Sequence, residues 1–134
     1  MDEYTSPLLE PPATTGNLSD IVAVNASEAP DKTIFRRRVG TTWREVTCGD
    51  FQTEVNADEQ GLMSSGVGAG DRVGLMARTR YEWTLLDFAI WTAGAVTVPI
   101  YETSSAEQVQ WILENSGAVA CVVETPSHAA LVAE

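Results

Sequence analysis

The chain has 134 residues, of which 44% are hydrophobic and 20% charged, enough for one domain with its own core. Its formal net charge of −11 argues against nucleic acid, whose phosphates require clustered cations, and against an anionic membrane surface. The one basic run, Arg36 to Arg38, lies between Ile34-Phe35 and Val39 and reads as part of an exposed strand.

In chain order, residues 1–16 carry Pro7, Pro11 and Pro12 among acidic and hydroxyl residues, and are expected to form a flexible acidic tail. No apolar signal segment is visible there, so the chain is expected in the cytoplasm, with Cys48 and Cys121 as free thiols. Asn17 is placed to cap a short helix whose apolar residues Leu18, Ile21, Val22 and Ala26 recur at helical spacing. The stretch "TIFRRRVGTTWREVT" predicts a β-hairpin turning near Gly40. Thr47 and Asp50 form a capping-box pair opening the next helix. That helix presents Phe51, Val55, Leu62 and Met63 on one side, but Asp58 falls on the same side, so either it finds a partner or the helix is weakened.

Beyond Asp71 the pattern alternates. "DRVGLM", "AVTVPI" and "AVACVVE" read as strands. Helices between them end at Gly94 and Gly117, and "SHAALVAE" begins another. Short apolar strands between helices signal a mainly parallel sheet covered on both faces, so the fold class is α/β. The longest apolar stretch, "TLLDFAIWTAGAVTVPIY", contains Asp87, Gly94 and Pro99 and reads as helix, turn and strand rather than a membrane span. In the helix from Tyr81, one face carries Trp83, Leu86, Ala89 and Ile90, and the opposite arc still carries Phe88 and Trp91. With apolar residues on both sides, Phe88 and Trp91 are expected to need cover from a partner.

The candidate sites thin out under this order. "SSGVGAGDRVGLM" is glycine-rich but follows a helix and precedes a strand, the reverse of a phosphate cradle. Its Gly66 fits a helix C-cap. The missing phosphate loop also argues against a small flavodoxin-like nucleotide binder. Arg78 and Arg80 follow a strand's carboxyl end, where ligands of open α/β sheets bind and a cation could meet a phosphate or carboxylate, but solvated arginines leading into a helix are the favoured reading. No Cys/His cluster offers a metal site, and His128, the one histidine, is read as a surface residue. In "VPIYETSSAEQ", Ser105 and Gln108 make a capping box. Glu102 has no nearby acid, histidine or cysteine to form a catalytic pair.

The blocks "GDRVGLMARTRYEW" and "AGAVTVPIYETSSAEQ" together resemble the N-terminal part of AMP-forming acyl-CoA synthetases, specifically long-chain fatty-acid–CoA ligases of the adenylate-forming superfamily. The similarity reaches back through "GTTWREVTCGDF". The resemblance implies a parent enzyme that uses ATP and Mg²⁺ to turn a fatty acid into an acyl-adenylate, from which CoA takes the acyl group. It makes residues 17–134 an incomplete N-terminal AMP-dependent synthetase/ligase domain, in a parent enzyme that is cytoplasmic or membrane-peripheral. The family's phosphate loop and catalytic lysine follow the matched region, and the only lysine here, Lys32 in "PDKT", matches neither. No catalytic residue is therefore assigned and no cofactor is expected on this chain alone. By resemblance, Glu102 and Thr103 belong to a loop that approaches CoA, with Glu102 facing pantetheine or protein rather than phosphate. Two readings remain open: an inactive portion of a ligase completed by its remainder or a partner chain, and a non-catalytic ligase-derived module docking through Phe88 and Trp91.

Overall fold

The computed structural model describes Thr5 and residues 14–133. The expected tail lies almost entirely outside the described residues. The elements are α1 (Asp20–Glu28), β1 (Thr33–Val39), β2 (Thr42–Thr47), α2 (Cys48–Ser64), β3 (Arg72–Met76), α3 (Tyr81–Thr92), β4 (Val96–Ile100), α4 (Ala106–Ser116), β5 (Ala120–Val123) and α5 (Pro126–Ala133).

Local chemistry sets most of the boundaries. Asn17 Oδ1 accepts from the amides of Ser19 and Asp20 and turns the chain into α1. The Thr47 hydroxyl accepts from Asp50 N while the Asp50 carboxylate accepts from Thr47 N, a complete capping box at α2. Ser105 and Gln108 repeat the device at α4. Thr125 caps α5, with Pro126 in the first helical position.

Three helices stop in one way. Gly66, Gly94 and Gly117 all adopt positive φ. Each donates its amide three residues back, to Met63, Trp91 and Glu114, and the following residue donates five back, to Leu62, Ile90 and Leu113. These paired bonds occupy the last carbonyls and swing the chain from helix into strand.

β1 and β2 form an antiparallel hairpin, and β4–β3–β5 form a parallel sheet with β3 in the centre. Side-chain alternation divides the sheet's cover. Val73, Ala120 and Val122 pack with Ile90 of α3 on one face. Met76, Ile100, Cys121 and Val123 pack with Val109 and Leu113 of α4 and Leu131 of α5 on the other. Gly74 sits on the α4 face because nothing larger fits: a Cβ would stand 2.8 Å from Cys121 Sγ and 2.9 Å from Leu113 Cδ2.

A third cluster corrects the expectation for α3. Its second face meets this chain's own N-terminal layer, where Leu85 joins Val22, Val46, Phe51 and Val55 with Phe35, Tyr81 and Phe88 packed around them. Phe88 lies edge-on to Phe51 with centroids 5.6 Å apart, and Trp91 lies edge-on to Phe88 at 5.2 Å. Phe88 and Trp91 are half-buried rather than an open docking face. The cover comes from α1, α2 and the hairpin, which precede the sheet in sequence and fold back over it. One smaller correction follows. Leu18, Ile21 and Met63, read as inward residues, are exposed. Asp58 is half-buried and finds no hydrogen bond or ion pair among the described residues.

Candidate functional site at the carboxyl edge of the sheet

α3 leaves β3 for one face of the sheet and α4 leaves β4 for the other. This arrangement opens the carboxyl edge between the exits, the usual ligand position in open α/β sheets. Three segments meet there: Ala77–Arg80 after β3, Tyr101–Ser104 after β4, and Glu124 after β5.

Glu124 organises the first and third. Its Oε1 lies 2.7 Å from Arg78 Nη2 and 3.0 Å from Arg80 Nη1, and its Oε2 accepts the Arg78 backbone amide at 2.9 Å. The side chain is only 9% exposed. The Arg78 side-chain and backbone bonds, with help from Arg80, pull the Glu124 carboxyl down to about 2. The two arginines therefore meet a carboxylate from their own sheet, and Arg80 meets Glu82 as well. A cavity of about 220 Å³ opens beside this clamp, walled by Leu75, Trp83, Leu86 and Val122. Sequence reasoning missed Glu124, because it is one acid after an apolar strand and nothing local signals pairing across more than 40 residues.

The loop after β4 is a turn closed by Ser104 N donating to Tyr101 O at 3.0 Å. It borders a cleft of about 570 Å³ lined by Tyr101, Thr103, Ser104, Glu107, Trp111 and neighbouring residues of α4. The rings are uncovered, Tyr101 being 82% and Trp111 64% exposed. The two predicted loop residues part company here. Thr103 lines the cleft; Glu102 does not, and its charge instead acts on Arg78.

The glycine-rich stretch binds itself rather than a ligand. Gly68 N donates to the Asp71 carboxylate at 2.8 Å and Gly70 N to Gly94 O at 2.8 Å. Lys32 is exposed in the turn before β1, where its backbone bonds Ala29 and Cys48. His128 is half-buried in the first turn of α5, and its buried Nδ1 lacks a partner among the described residues. Cys48 and Cys121 are free, and burial pushes the Cys121 thiol up. No helix among the described residues is long and apolar enough to cross a membrane.

A hairpin and two helices packed on a parallel βαβαβ unit define the architecture of an adenylate-forming enzyme's N-terminal domain. The N-terminal domain of FACL13 from Mycobacterium tuberculosis superposes with a TM-score of 0.76 at 26% identity, over 89% of this chain and 29% of that one. A fatty acyl CoA synthetase of the same organism gives 0.75 at 26% identity, over 87% of this chain and 23% of the other. Residues 22–134 match the family of AMP-binding enzymes, and the chain belongs to that family. Among curated relatives, the long-chain-fatty-acid–CoA ligase FadD15 of Mycobacterium bovis is 50% identical over 126 residues, covering 92% of this chain. The chain spans about a fifth of that relative's length.

Proposed function

We propose that this chain is the N-terminal portion of a long-chain fatty-acid–CoA ligase. The observation that carries the reading is the 50% identity to FadD15 sustained over 92% of the chain. In the whole enzyme, ATP and Mg²⁺ supply the activation of the fatty acid, and CoA supplies the accepting thiol. The residues present do not fit an ATP–Mg²⁺ site: among the described residues no helix N-terminus follows a glycine-rich loop, and Lys32 lies in the α1–β1 turn. No step of acyl-adenylate formation is assigned to them.

CoA is a different case. The Tyr101–Ser104 turn and the exposed Trp111 ring form a wide, partly apolar cleft that suits a pantetheine arm. Thr103 and Ser104 line it together with the acidic Glu107, while Glu102 stands outside the lining. On this reading Thr103 contacts CoA, and Glu102 holds the loop through the protein side.

Fatty-acid-dependent ATP–pyrophosphate exchange tests the reading. The purified 134-residue chain is expected to show none, and robust exchange would overturn the claim that it lacks the adenylation machinery. A CoA titration followed by amide NMR tests the cleft. Shifts are expected at Thr103, Ser104 and Trp111; shifts elsewhere, or none at millimolar CoA, would remove the cleft from the proposal.

A further inference from the structure

Five of the chain's eight basic residues, Arg36, Arg37, Arg38, Arg78 and Arg80, border a single cavity of about 610 Å³ between the hairpin and the loop entering α3. Trp43 stands at its wall with its ring 68% exposed, directly across the hairpin from Arg38. We propose that this cavity is a binding site for a soluble phosphate-bearing ligand with a flat organic group, the phosphate held by guanidinium N–H groups and the flat group laid on Trp43.

Charge and geometry carry the proposal together. The five arginines face four carboxylates: Glu45 on Arg36 at 2.8 Å, Glu54 on Arg37 at 3.3 Å, Glu124 shared by Arg78 and Arg80, and Glu82 on Arg80. Of the five, only Arg38 enters no ion pair among the described residues, in a chain whose net charge is −11. Its Nε donates to the Gly40 carbonyl at 3.1 Å. Ion pairing fixes the other guanidiniums without using all their donors. Arg36 engages Glu45 through Nε and Nη2, and Arg78 engages Glu124 through the same pair, so neither Nη1 is used among the described residues. Planar donors held in place by their neighbours suit phosphate oxygens better than mobile lysines would. The volume matches a nucleotide-sized ligand, and an open indole is a stacking platform for a base. The acidic remainder of the chain disfavours an anionic bilayer as the source of the phosphate, although a lipid headgroup presents the same chemistry.

Calorimetric titration of the full chain with pyrophosphate and with ADP at low salt tests the site. Both are expected to bind, more weakly as salt rises. Arg38→Ala breaks no ion pair and is expected to weaken both by about tenfold without moving the melting temperature. Arg44→Ala, on the hairpin but outside the cavity wall, should leave both unchanged. Trp43→Ala should weaken ADP several-fold more than pyrophosphate. No binding at millimolar ligand overturns the proposal. Equal losses in Arg38→Ala and Arg44→Ala would reduce the effect to diffuse charge and also overturn it. Equal losses of ADP and pyrophosphate in Trp43→Ala would overturn the stacked group. Binding to phosphatidylglycerol vesicles with no binding of either solute would overturn the soluble ligand in favour of a headgroup.

Discussion

One carboxylate of Glu124 holds Arg78 twice, accepting its backbone amide at 2.9 Å on Oε2 and its guanidinium at 2.7 Å on Oε1. The two residues are 46 apart in sequence and sit at the ends of adjacent parallel strands. The backbone ladder between these strands ends with Glu124 N donating to Met76 O at 3.2 Å. The double contact extends that hold beyond the strands to the segment entering α3, at the edge where the Tyr101–Ser104 loop also arrives.

The first prediction follows from that contact. Glu124 is pulled from an ordinary value of 4.5 down to about 2, chiefly by Arg78. A carboxyl lowered in the folded state contributes stability fully above its unfolded value and loses it as pH falls toward the folded one. Glu124→Gln is therefore expected to lower the melting temperature at pH 7. The gap to the parent should narrow between pH 4.5 and pH 2. Thermal denaturation across that range checks it; a gap unchanged below pH 3 would mean the ion pair is not its source.

Asp58 runs the opposite way. Burial raises its carboxyl above the ordinary value of 3.8, and the neighbouring charge of Glu54 adds to the rise. A raised acid destabilises the fold wherever it is ionised and ceases to do so once both states are protonated. Asp58→Asn is expected to raise stability at pH 7, with the gain disappearing as pH falls toward 3.8. Urea denaturation at neutral and acid pH reads this directly, and a loss at pH 7 would show a role for the carboxylate that its surroundings do not reveal.

These two acids mark where the sequence was legible and where it was not. Helix starts at Thr47 and Ser105 and stops at Gly66, Gly94 and Gly117 are written within a few residues, because capping bonds span only one turn. The strand alternation that splits Val73 from Gly74 is equally local. Glu124, Arg37 and the cover over Phe88 are not, since each depends on which distant element folds back against it. The second face of α3 looked partnerless for that reason: its cover, Phe51 and the hairpin, lies 30 or more residues earlier. The same reach separates Arg36–Arg38 from Arg78 and Arg80, so one shared cavity could not be read from the two motifs.

Tyr81 joins the hairpin to the helices. Its hydroxyl donates to Glu54 at 2.9 Å, and the Arg37 guanidinium lies 4.8 Å over its ring while also pairing with Glu54. Tyr81→Phe keeps the ring and removes one bond to a charged acceptor, a loss of about 1–2 kcal/mol. Because all three groups share Glu54, combining it with Glu54→Gln should cost less than the two separate losses together. A denaturation cycle over the four proteins measures the coupling, and strict additivity would show that the Tyr81–Glu54 bond contributes nothing.

Two glycines make opposite predictions from the same substitution. Gly74 faces the Cys121 and Leu113 side chains so closely that an added methyl would force one or both to shift. Gly74→Ala is expected to destabilise the chain by about 1–3 kcal/mol through overpacking. Gly61 lies inside α2 with open space around the position a Cβ would take. There the glycine only enlarges the freedom of the unfolded chain, so Gly61→Ala should stabilise by about 0.5–1 kcal/mol. Urea midpoints for the two variants should move in opposite directions. A neutral Gly74→Ala would show that the Cys121 and Leu113 side chains turn aside without cost and that overpacking does not act at this position.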